Sequence, residues 1–113
     1  MRVIIAGGRE IYDYQLVLDA IKEANLDIIT VVSGGAKGVD TLGEQYASEM
    51  NLALNVYAAD WQKNGRAAGP IRNRKMAENA DALIAIWDGK SRGTKNMIET
   101  ATKLKLVVYV KRI

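Results

Sequence analysis

Five short apolar runs, separated by stretches with helical spacing, constrain the fold more than any other feature of this sequence. They cover residues 2–6, 28–32, 52–58, 81–87 and 106–110. Nearly all of the runs are apolar throughout instead of alternating with polar residues, which indicates strands buried on both faces of a parallel sheet. The pattern predicts an α/β protein, a single Rossmann-like three-layer domain with a five-stranded, mainly parallel sheet.

Between the runs, apolar residues recur at the spacing of amphipathic helices. We expect helices over residues 14–25, 39–50 and 94–103, and another that has Pro70 in its first turn. Residues 60–69 are predicted to be a long loop without regular structure. The side chains expected to point inward from the second and third helices are Leu42, Tyr46, Ala47, Met50, Ile71, Met76, Ala77 and Ala80.

The composition excludes several classes of site. The 113 residues include no cysteine and no histidine, which rules out thiolate zinc sites and every Ser-His or Cys-His mechanism. We therefore expect no metal and no cofactor. The length has room for one domain, residues 1–113. No apolar run approaches the roughly 20 residues of a membrane span, and because Met1 and Arg2 lead directly into an apolar strand, we expect no signal peptide. The protein is therefore expected in the cytoplasm, without membrane contact.

The net charge of +3 is modest, and most lysines and arginines are spread along the chain. Arg66, Arg72, Arg74 and Lys75 form the one local concentration. A nucleic-acid-binding protein usually has a stronger basic stripe with aromatic residues between the charges. The charge pattern thus favours one anionic small molecule and disfavours nucleic acid as a partner.

Residues 33–38, Ser-Gly-Gly-Ala-Lys-Gly, join the second strand to the second helix. At such a turn the first N–H groups of the helix are free and the helix dipole favours an anion, an effect that Asp40 in the first turn also exploits. Three glycines and Lys37 therefore indicate a phosphate-binding loop. A tight turn in which Gly34 and Gly35 supply positive φ angles is the structural alternative.

Three further polar or glycine-rich loops follow strands: Gly-Gly-Arg at 7–9, the loop at 60–69, and Asp-Gly-Lys-Ser-Arg-Gly-Thr at 88–94. Right-handed crossovers bring the loops after parallel strands to one edge of the sheet, so we expect all of them at one site. Its candidate ligand-binding residues are Gly7, Gly8, Arg9, Ser33, Gly34, Gly35, Ala36, Gly38, Asp40, Asp60, Trp61, Arg72, Asn73, Asp88, Gly89, Ser91, Gly93 and Thr94.

Several of these candidates have structural alternatives. Thr94 suits helix capping as well as phosphate binding. Arg72 and Asn73 also suit a solvated basic helix face. Trp61 is placed to stack on a base, whereas Trp87 at the end of a strand is expected in the core.

Five segments together resemble the YspA, cpYpsA-related family of the SLOG superfamily. They are Gly-Gly-Arg at 7–9, Ser-Gly-Gly-Ala-Lys-Gly-Val-Asp at 33–40, Ala-Asp-Trp at 59–61, Ala-Gly-Pro-Ile-Arg-Asn at 68–73 and Asp-Ala-Leu-Ile-Ala-Ile-Trp-Asp-Gly at 81–89. The resemblance implies a Rossmann-like fold that binds nucleotides or nucleotide-derived ligands, in a family common in bacteria and phages. Many relatives are dimers or larger, which together with apolar helix faces implies a homo-oligomer.

The cytokinin-activating phosphoribohydrolases of the same superfamily raise the question of catalysis. Their motifs correspond in place to residues 72–76, 80–82 and 88–94, so Arg72 is similar to their catalytic arginine. Their glutamate, three residues after the threonine, is replaced by Met97, and Glu99 lies about 200° around the helix from that position. A second relative, the DNA-processing protein A domain, shares the loop type at 33–40 and keeps nucleic acid as an alternative partner.

Three functional hypotheses follow. The leading one is a non-catalytic protein that senses or sequesters a nucleotide-derived ligand through its glycine-rich loops. The second is an N-glycosidic hydrolase acting on nucleoside monophosphates, with Arg72 as the catalytic residue. The third is a nucleic-acid-binding module, which predicts affinity that falls steeply with salt.

Overall fold

A computed structural model describes residues 1–113 as a twisted sheet of five strands between two layers of helices. The strand order is β3-β2-β1-β4-β5 and all four strand pairings are parallel, which confirms the predicted Rossmann-like fold. In chain order the elements are β1 (Arg2–Gly7), α1 (Tyr14–Ala24), β2 (Thr30–Ser33), α2 (Val39–Glu49), β3 (Ala53–Val56), α3 (Trp61–Asn64), a 3₁₀ turn (Gly65–Ala67), α4 (Ala68–Glu78), β4 (Ala82–Trp87), α5 (Arg92–Lys103) and β5 (Val107–Arg112).

The three central strands divide the core into two parts because successive side chains of a strand point to opposite faces. On one face, Val3 and Ile5 of β1 pack with α1 and α2 through residues such as Val17 and Leu42. On the other face, Ile4 and its neighbours pack with α4 and α5. The continuous apolar runs of the sequence therefore serve two cores at once, as the three-layer prediction requires.

The edge strand β3 differs from that prediction. All four of its residues are exposed, including Leu54 and Val56, although the sequence run resembles the buried strands. Two helix positions expected to face inward are also wrong: Met50 follows the end of α2 and is exposed, and Ile71 of α4 is exposed at the protein surface. Two residues further along α4, the polar side chain of Asn73 is buried although Ile71 is not.

Residues 60–69 are also not the unstructured loop that was predicted. Asp60 accepts a hydrogen bond from the backbone N–H of Lys63 and so begins the one-turn helix α3. The 3₁₀ turn then leads directly into α4, in which Pro70 lies in the first turn as expected. This compact connection places Trp61 and Arg66 beside the carboxyl edge of the sheet.

Side-chain hydrogen bonds hold the outer helices in place. Asp13 caps α1 through the N–H of Gln15, and Asn25 ends the helix with a left-handed φ of 52°, both as the sequence indicated. Tyr14 of α1 donates to Glu49 of α2 at 2.8 Å. Burial, and then the hydrogen bond to Glu49, raise the pKa of Tyr14 to about 12. The helices are short, and none has the length and apolar character needed to cross a bilayer.

Candidate functional site

A cavity of about 390 Å³ opens at the carboxyl ends of the central strands β1 and β4. The chain leaves β1 toward β2 and β3 on one side, and returns to β4 and β5 on the other. Ligands of open α/β sheets bind at such a reversal of strand order. The cavity, called the switch-point cavity below, also lies between the amino ends of α2, α4 and α5, as its lining residues show.

The first glycine-rich loop, the β2–α2 loop (residues 33–38), makes several hydrogen bonds within the protein. The buried Ser33 hydroxyl donates to Glu44 at 2.7 Å and accepts from the N–H of Gly35 at 3.1 Å. The N–H of Ala36 donates to the Asp40 carboxylate at 3.2 Å. The Ser33 hydroxyl and the N–H groups of Gly35 and Ala36 are therefore already hydrogen-bonded within the protein.

The same loop is pressed against the end of β1. The N–H of Val39, the first residue of α2, donates to the carbonyl of Gly8 at 3.2 Å. Gly38 has a φ of 74°, and a Cβ there would collide with the backbone of Gly8 and Arg9. The amino end of α2 is therefore covered by the segment that follows β1, so this glycine is required by packing.

Asp40 is the only carboxylate that lines the switch-point cavity, and it is only 6% exposed. Its Oδ2 accepts the hydrogen bond from Ala36. Burial raises the pKa of Asp40 above its ordinary value, while the N–H of Ala36 and the charge of Arg72 act in the opposite direction. The sequence indicated a favourable contact with the helix dipole, and the structure adds a buried carboxylate beside a cavity.

Arg72 and Asn73 connect the two glycine-rich loops. Arg72 donates from Nη1 to the carbonyl of Gly34 at 2.6 Å and from Nε to the Oδ1 of Asn73 at 2.9 Å. Asn73 in turn donates to Asn96 of α5 at 2.9 Å and more weakly to the carbonyl of Gly93. Burial lowers the pKa of Arg72, although Asp40 opposes that effect, and a guanidinium remains charged in proteins.

The second glycine-rich loop, the β4–α5 loop (residues 88–94), leaves backbone donors open. Asp88 accepts from the N–H groups of Lys90 and Ser91, and these hydrogen bonds lower the pKa of its exposed carboxyl. Ser91 caps α5 by accepting from the N–H of Thr94. The N–H groups at positions 92 and 93 donate no hydrogen bond within the protein. A Cβ on Gly93 would meet no atom within 4 Å, so this glycine borders open space.

Trp61 and Arg9 stand at the rim of the switch-point cavity. The Arg9 guanidinium carbon lies 5.8 Å from the centre of the Trp61 ring, a cation–π contact, and Trp61 is 50% exposed. Both side chains also border a second cavity of about 410 Å³. Gly34, Gly35 and Lys37 line that second cavity and not the first. Trp87 is half-buried, with Arg112 over its ring, rather than fully in the core.

Most of the candidate residues do converge. Those that line the switch-point cavity are Gly7, Arg9, Ala36, Asp40, Trp61, Arg72, Asn73, Ser91, Gly93 and Thr94. Those that line neither this cavity nor the one beside it are Gly8, Ser33, Gly38, Asp60, Asp88 and Gly89, which shape turns and helix ends instead. The candidates therefore divide into residues that border a cavity and residues that position them.

The sequence-based set omitted several residues that line the cavity. Arg66 and Arg92 add two cations to Arg9 and Arg72, and Asn96 lies one helical turn beyond the amino end of α5. Arg92 lies within the glycine-rich motif at 88–94. Its position beside the predicted start of a helix could have identified it as a candidate from the sequence. Arg66 could not be placed, because the helical turns of the 60–69 segment were not predicted.

Met97 lies on the cavity wall at the position where the phosphoribohydrolases carry their glutamate, and it is only 1% exposed. Glu99 is exposed and does not line the cavity. This agrees with the angular offset between the two positions on α5. No carboxylate of α5 therefore borders the switch-point cavity.

The fold and the cavity define a Rossmann-like α/β protein with a candidate ligand site at the reversal of strand order. Residues 1–64 match the family described as "YAcAr: YspA, cpYpsA-related SLOG family". The chain is also 33% identical over 116 residues to the "Gene 61 protein" of Mycobacterium phage D29, covering 95% of this chain and 93% of that protein. The protein belongs to the YspA, cpYpsA-related SLOG family, as the sequence motifs indicated.

Among solved structures, the fold is similar to DNA processing protein A (DprA) from Streptococcus pneumoniae. The TM-score is 0.75 with 19% sequence identity. The match covers 96% of this chain but 49% of the DprA chain, so this protein spans about half of that structure. At this identity the similarity establishes the shared fold.

Proposed function

We propose that the protein binds a nucleotide or a nucleotide-derived ligand in the switch-point cavity and acts as a sensor or sequestering protein. The observation that carries the proposal is the cavity wall itself. Four arginines line it, at positions 9, 66, 72 and 92, together with the amino end of α5, where two backbone N–H groups are open. Guanidinium groups and free helix starts are both frequent protein partners of phosphate.

The size and composition of the cavity support the same ligand class. Its volume of about 390 Å³ lies within the range of small-molecule sites, roughly 300 to 1,000 Å³. Met76 and Met97 provide apolar surface inside the cavity, and Trp61 provides a half-exposed aromatic face at the rim for a base. We assign this binding role to one domain that comprises residues 1–113.

Isothermal titration calorimetry with AMP, ADP, ATP and inorganic phosphate tests the proposal. Arg72→Ala is expected to weaken nucleotide binding about 10- to 100-fold, because a buried charge-assisted contact is lost. Arg74→Ala is the matched control: Arg74 lies on the same helix but is exposed, pairs with Glu78 and does not line the cavity. Absence of binding to every nucleotide would rule out the proposal.

The same mixtures, analysed for free base, address hydrolysis. A non-catalytic protein leaves the nucleotides intact after prolonged incubation. If the wild-type protein releases free base and the Arg72→Ala variant does not, the protein is instead an N-glycosidic hydrolase.

A second candidate function is binding of single-stranded nucleic acid. The observation in its favour is the exposed Trp61 ring with Arg9 over it, since stacking of bases on aromatic residues beside cations is the common mode for single strands. The fold is also similar to that of a protein whose name describes DNA processing. Fluorescence anisotropy with labelled oligonucleotides tests this function. Binding that falls steeply with salt and is lost in Trp61→Ala supports it, and no binding at low salt excludes it.

We also propose that the protein forms a homo-oligomer and works in the cytoplasm. Ile29, Leu54 and Val56 are exposed apolar side chains at or beside the edge strand β3 and offer a surface for a second copy. Light scattering coupled to size-exclusion chromatography measures the mass directly. A mass of 12.4 kDa at all concentrations would contradict self-association.

A further inference from the structure

One oxygen of Asp40 is left without a partner in the switch-point cavity. Oδ2 accepts from Ala36, whereas Oδ1 accepts no hydrogen bond within the protein. None of the three salt bridges includes Asp40, although four arginines line the same cavity. No fully enclosed polar side-chain atom of the protein lacks a hydrogen-bond partner, so Oδ1 keeps some exposure to solvent, and Asp40 is a lining residue of the open cavity.

An unpaired carboxylate oxygen at a ligand site requires a hydrogen-bond donor from the ligand, because leaving it unpaired once the ligand excludes water is costly. It also repels phosphate, which offers no donor when fully ionised. A nucleotide carries donors on the hydroxyls of its sugar and on the exocyclic amine of some bases. The phosphate is thus directed to the arginines and the open amino end of α5.

The position of Asp40 favours the sugar over the base. Trp61 provides the aromatic face for a base at the rim, where it is half exposed. Asp40 is only 6% exposed and lines the cavity together with Arg72. The sugar of a nucleotide lies between its base and its phosphate, so a nucleotide with its base at Trp61 and its phosphate at the arginines brings its sugar to the interior carboxylate.

We infer that Asp40 accepts a hydrogen bond from the 2′- or the 3′-hydroxyl of the ligand's ribose, so that the site discriminates against the nucleotide that lacks this hydroxyl. This inference rests on the proposed nucleotide-binding function. It assigns to one residue a selectivity that the arginines cannot supply, because phosphate contacts are the same in both kinds of nucleotide. A buried hydrogen bond to a charged acceptor corresponds to a preference of roughly 10-fold or more.

Calorimetry with matched pairs tests the inference on the intact chain. Each ribonucleoside 5′-monophosphate or diphosphate that binds is compared with its 2′-deoxy and 3′-deoxy counterparts, which carry the same base and phosphate. The wild-type protein is expected to lose about 10-fold in affinity for at least one deoxy form. In Asp40→Asn the amide oxygen is expected to remain with Ala36, and the preference is expected to fall below about 3-fold.

Asp27→Asn is the matched control, because it removes the same charge from an exposed position away from the cavity. Its ribose preference is expected to equal that of the wild-type protein. Inorganic pyrophosphate is the second probe: Asp40→Asn is expected to bind it more tightly than does the wild type, because a repelling charge is removed. That gain reports the charge of Asp40 at the cavity, whereas the ribose preference reports its hydrogen bond to the ligand.

The possible results of these titrations distinguish failure of the proposed nucleotide binding from failure of the ribose contact. If no nucleotide binds, the proposed function and this inference both fail. If ribose and deoxyribose forms bind equally to the wild-type protein, the inference is overturned while the proposed function stands, and this result does not depend on whether Asp40→Asn folds. A preference that persists in a folded Asp40→Asn, or a loss confined to amine-bearing bases, also overturns the assignment to the ribose.

Discussion

The two glycine-rich loops at the carboxyl edge of the sheet look alike in sequence but differ in how their glycines are used. In the β2–α2 loop, Gly38 is pressed against the end of β1, and the N–H of Ala36 is held by Asp40. In the β4–α5 loop, Gly93 borders open space and the first N–H groups of α5 are free. A glycine-rich turn before a helix thus serves internal packing in one loop and leaves room for an anion in the other.

The largest difference between the loops is expected from glycine substitutions. Gly38→Ala should lower the free energy of unfolding by about 3 kcal/mol or more, because its Cβ collides with backbone and its φ is left-handed. Gly93→Ala should be neutral or stabilise by up to about 1 kcal/mol, since alanine favours the helix. Urea denaturation measures both. Equal destabilisation by the two changes would remove the distinction between the loops.

A second difference concerns the cations that flank the loops. Arg92 lines the switch-point cavity and Lys37 does not. Arg92→Ala is therefore expected to weaken nucleotide binding by roughly 3- to 10-fold, and Lys37→Ala by less than about 2-fold. Calorimetry with the same nucleotide compares them, with the thermal midpoints of both variants as a check on folding. A greater loss in Lys37→Ala would instead locate the phosphate at the second cavity.

The smallest effect is expected in the pH dependence of stability. It distinguishes Asp40, in the first turn of α2 after the first loop, from Asp88 of the β4–α5 loop. Asp40, facing Arg72, Arg9 and Glu44, has a raised pKa, so protonation in the folded state relieves an unfavourable buried charge. The stability of the wild type relative to Asp40→Asn should increase as the pH falls through that raised pKa towards the ordinary value of 3.8.

Asp88 has a lowered pKa, so its contribution is present above the ordinary value of 3.8 and is lost as the pH falls through the lowered one. The stability of the wild type relative to Asp88→Asn should therefore decrease on acidification, opposite to the Asp40 pair. Urea midpoints between pH 7 and pH 2.5 measure both trends. Trends of the same sign would show that the two carboxylates do not differ as described.

The sequence predicted the architecture because the apolar periodicity of the strands and the caps at Asp13 and Asn25 are local signals. It failed where long-range arrangement decides the outcome. Exposure of β3 follows from its place at the sheet edge, which an apolar run does not reveal. The single turn of α3 is too short for a periodic pattern, although Asp60 carries the signature of a cap.

For the candidate site, strand order determined what could be predicted. The rule that loops after parallel strands meet at one edge was sufficient to bring Arg9, Trp61, Arg72 and Gly93 to one cavity. The rule could not distinguish residues that border the cavity from those that support it. Ser33, for example, is of a residue type that can bind phosphate, but its side chain is fully buried and donates a hydrogen bond to Glu44.

The central place of β1 has a consequence for the order in which the protein acquires its site. One wall of the cavity follows β1, while the opposite wall follows β4, and Arg2 and Asp81, which join these two strands, are 79 positions apart. A nascent chain ending before β4 can pair β1 only with β2, so it lacks the cavity wall formed by residues 91–97. Because contacts so distant in sequence slow folding, the complete site is available to a ligand only after most of the chain has been synthesised and folded.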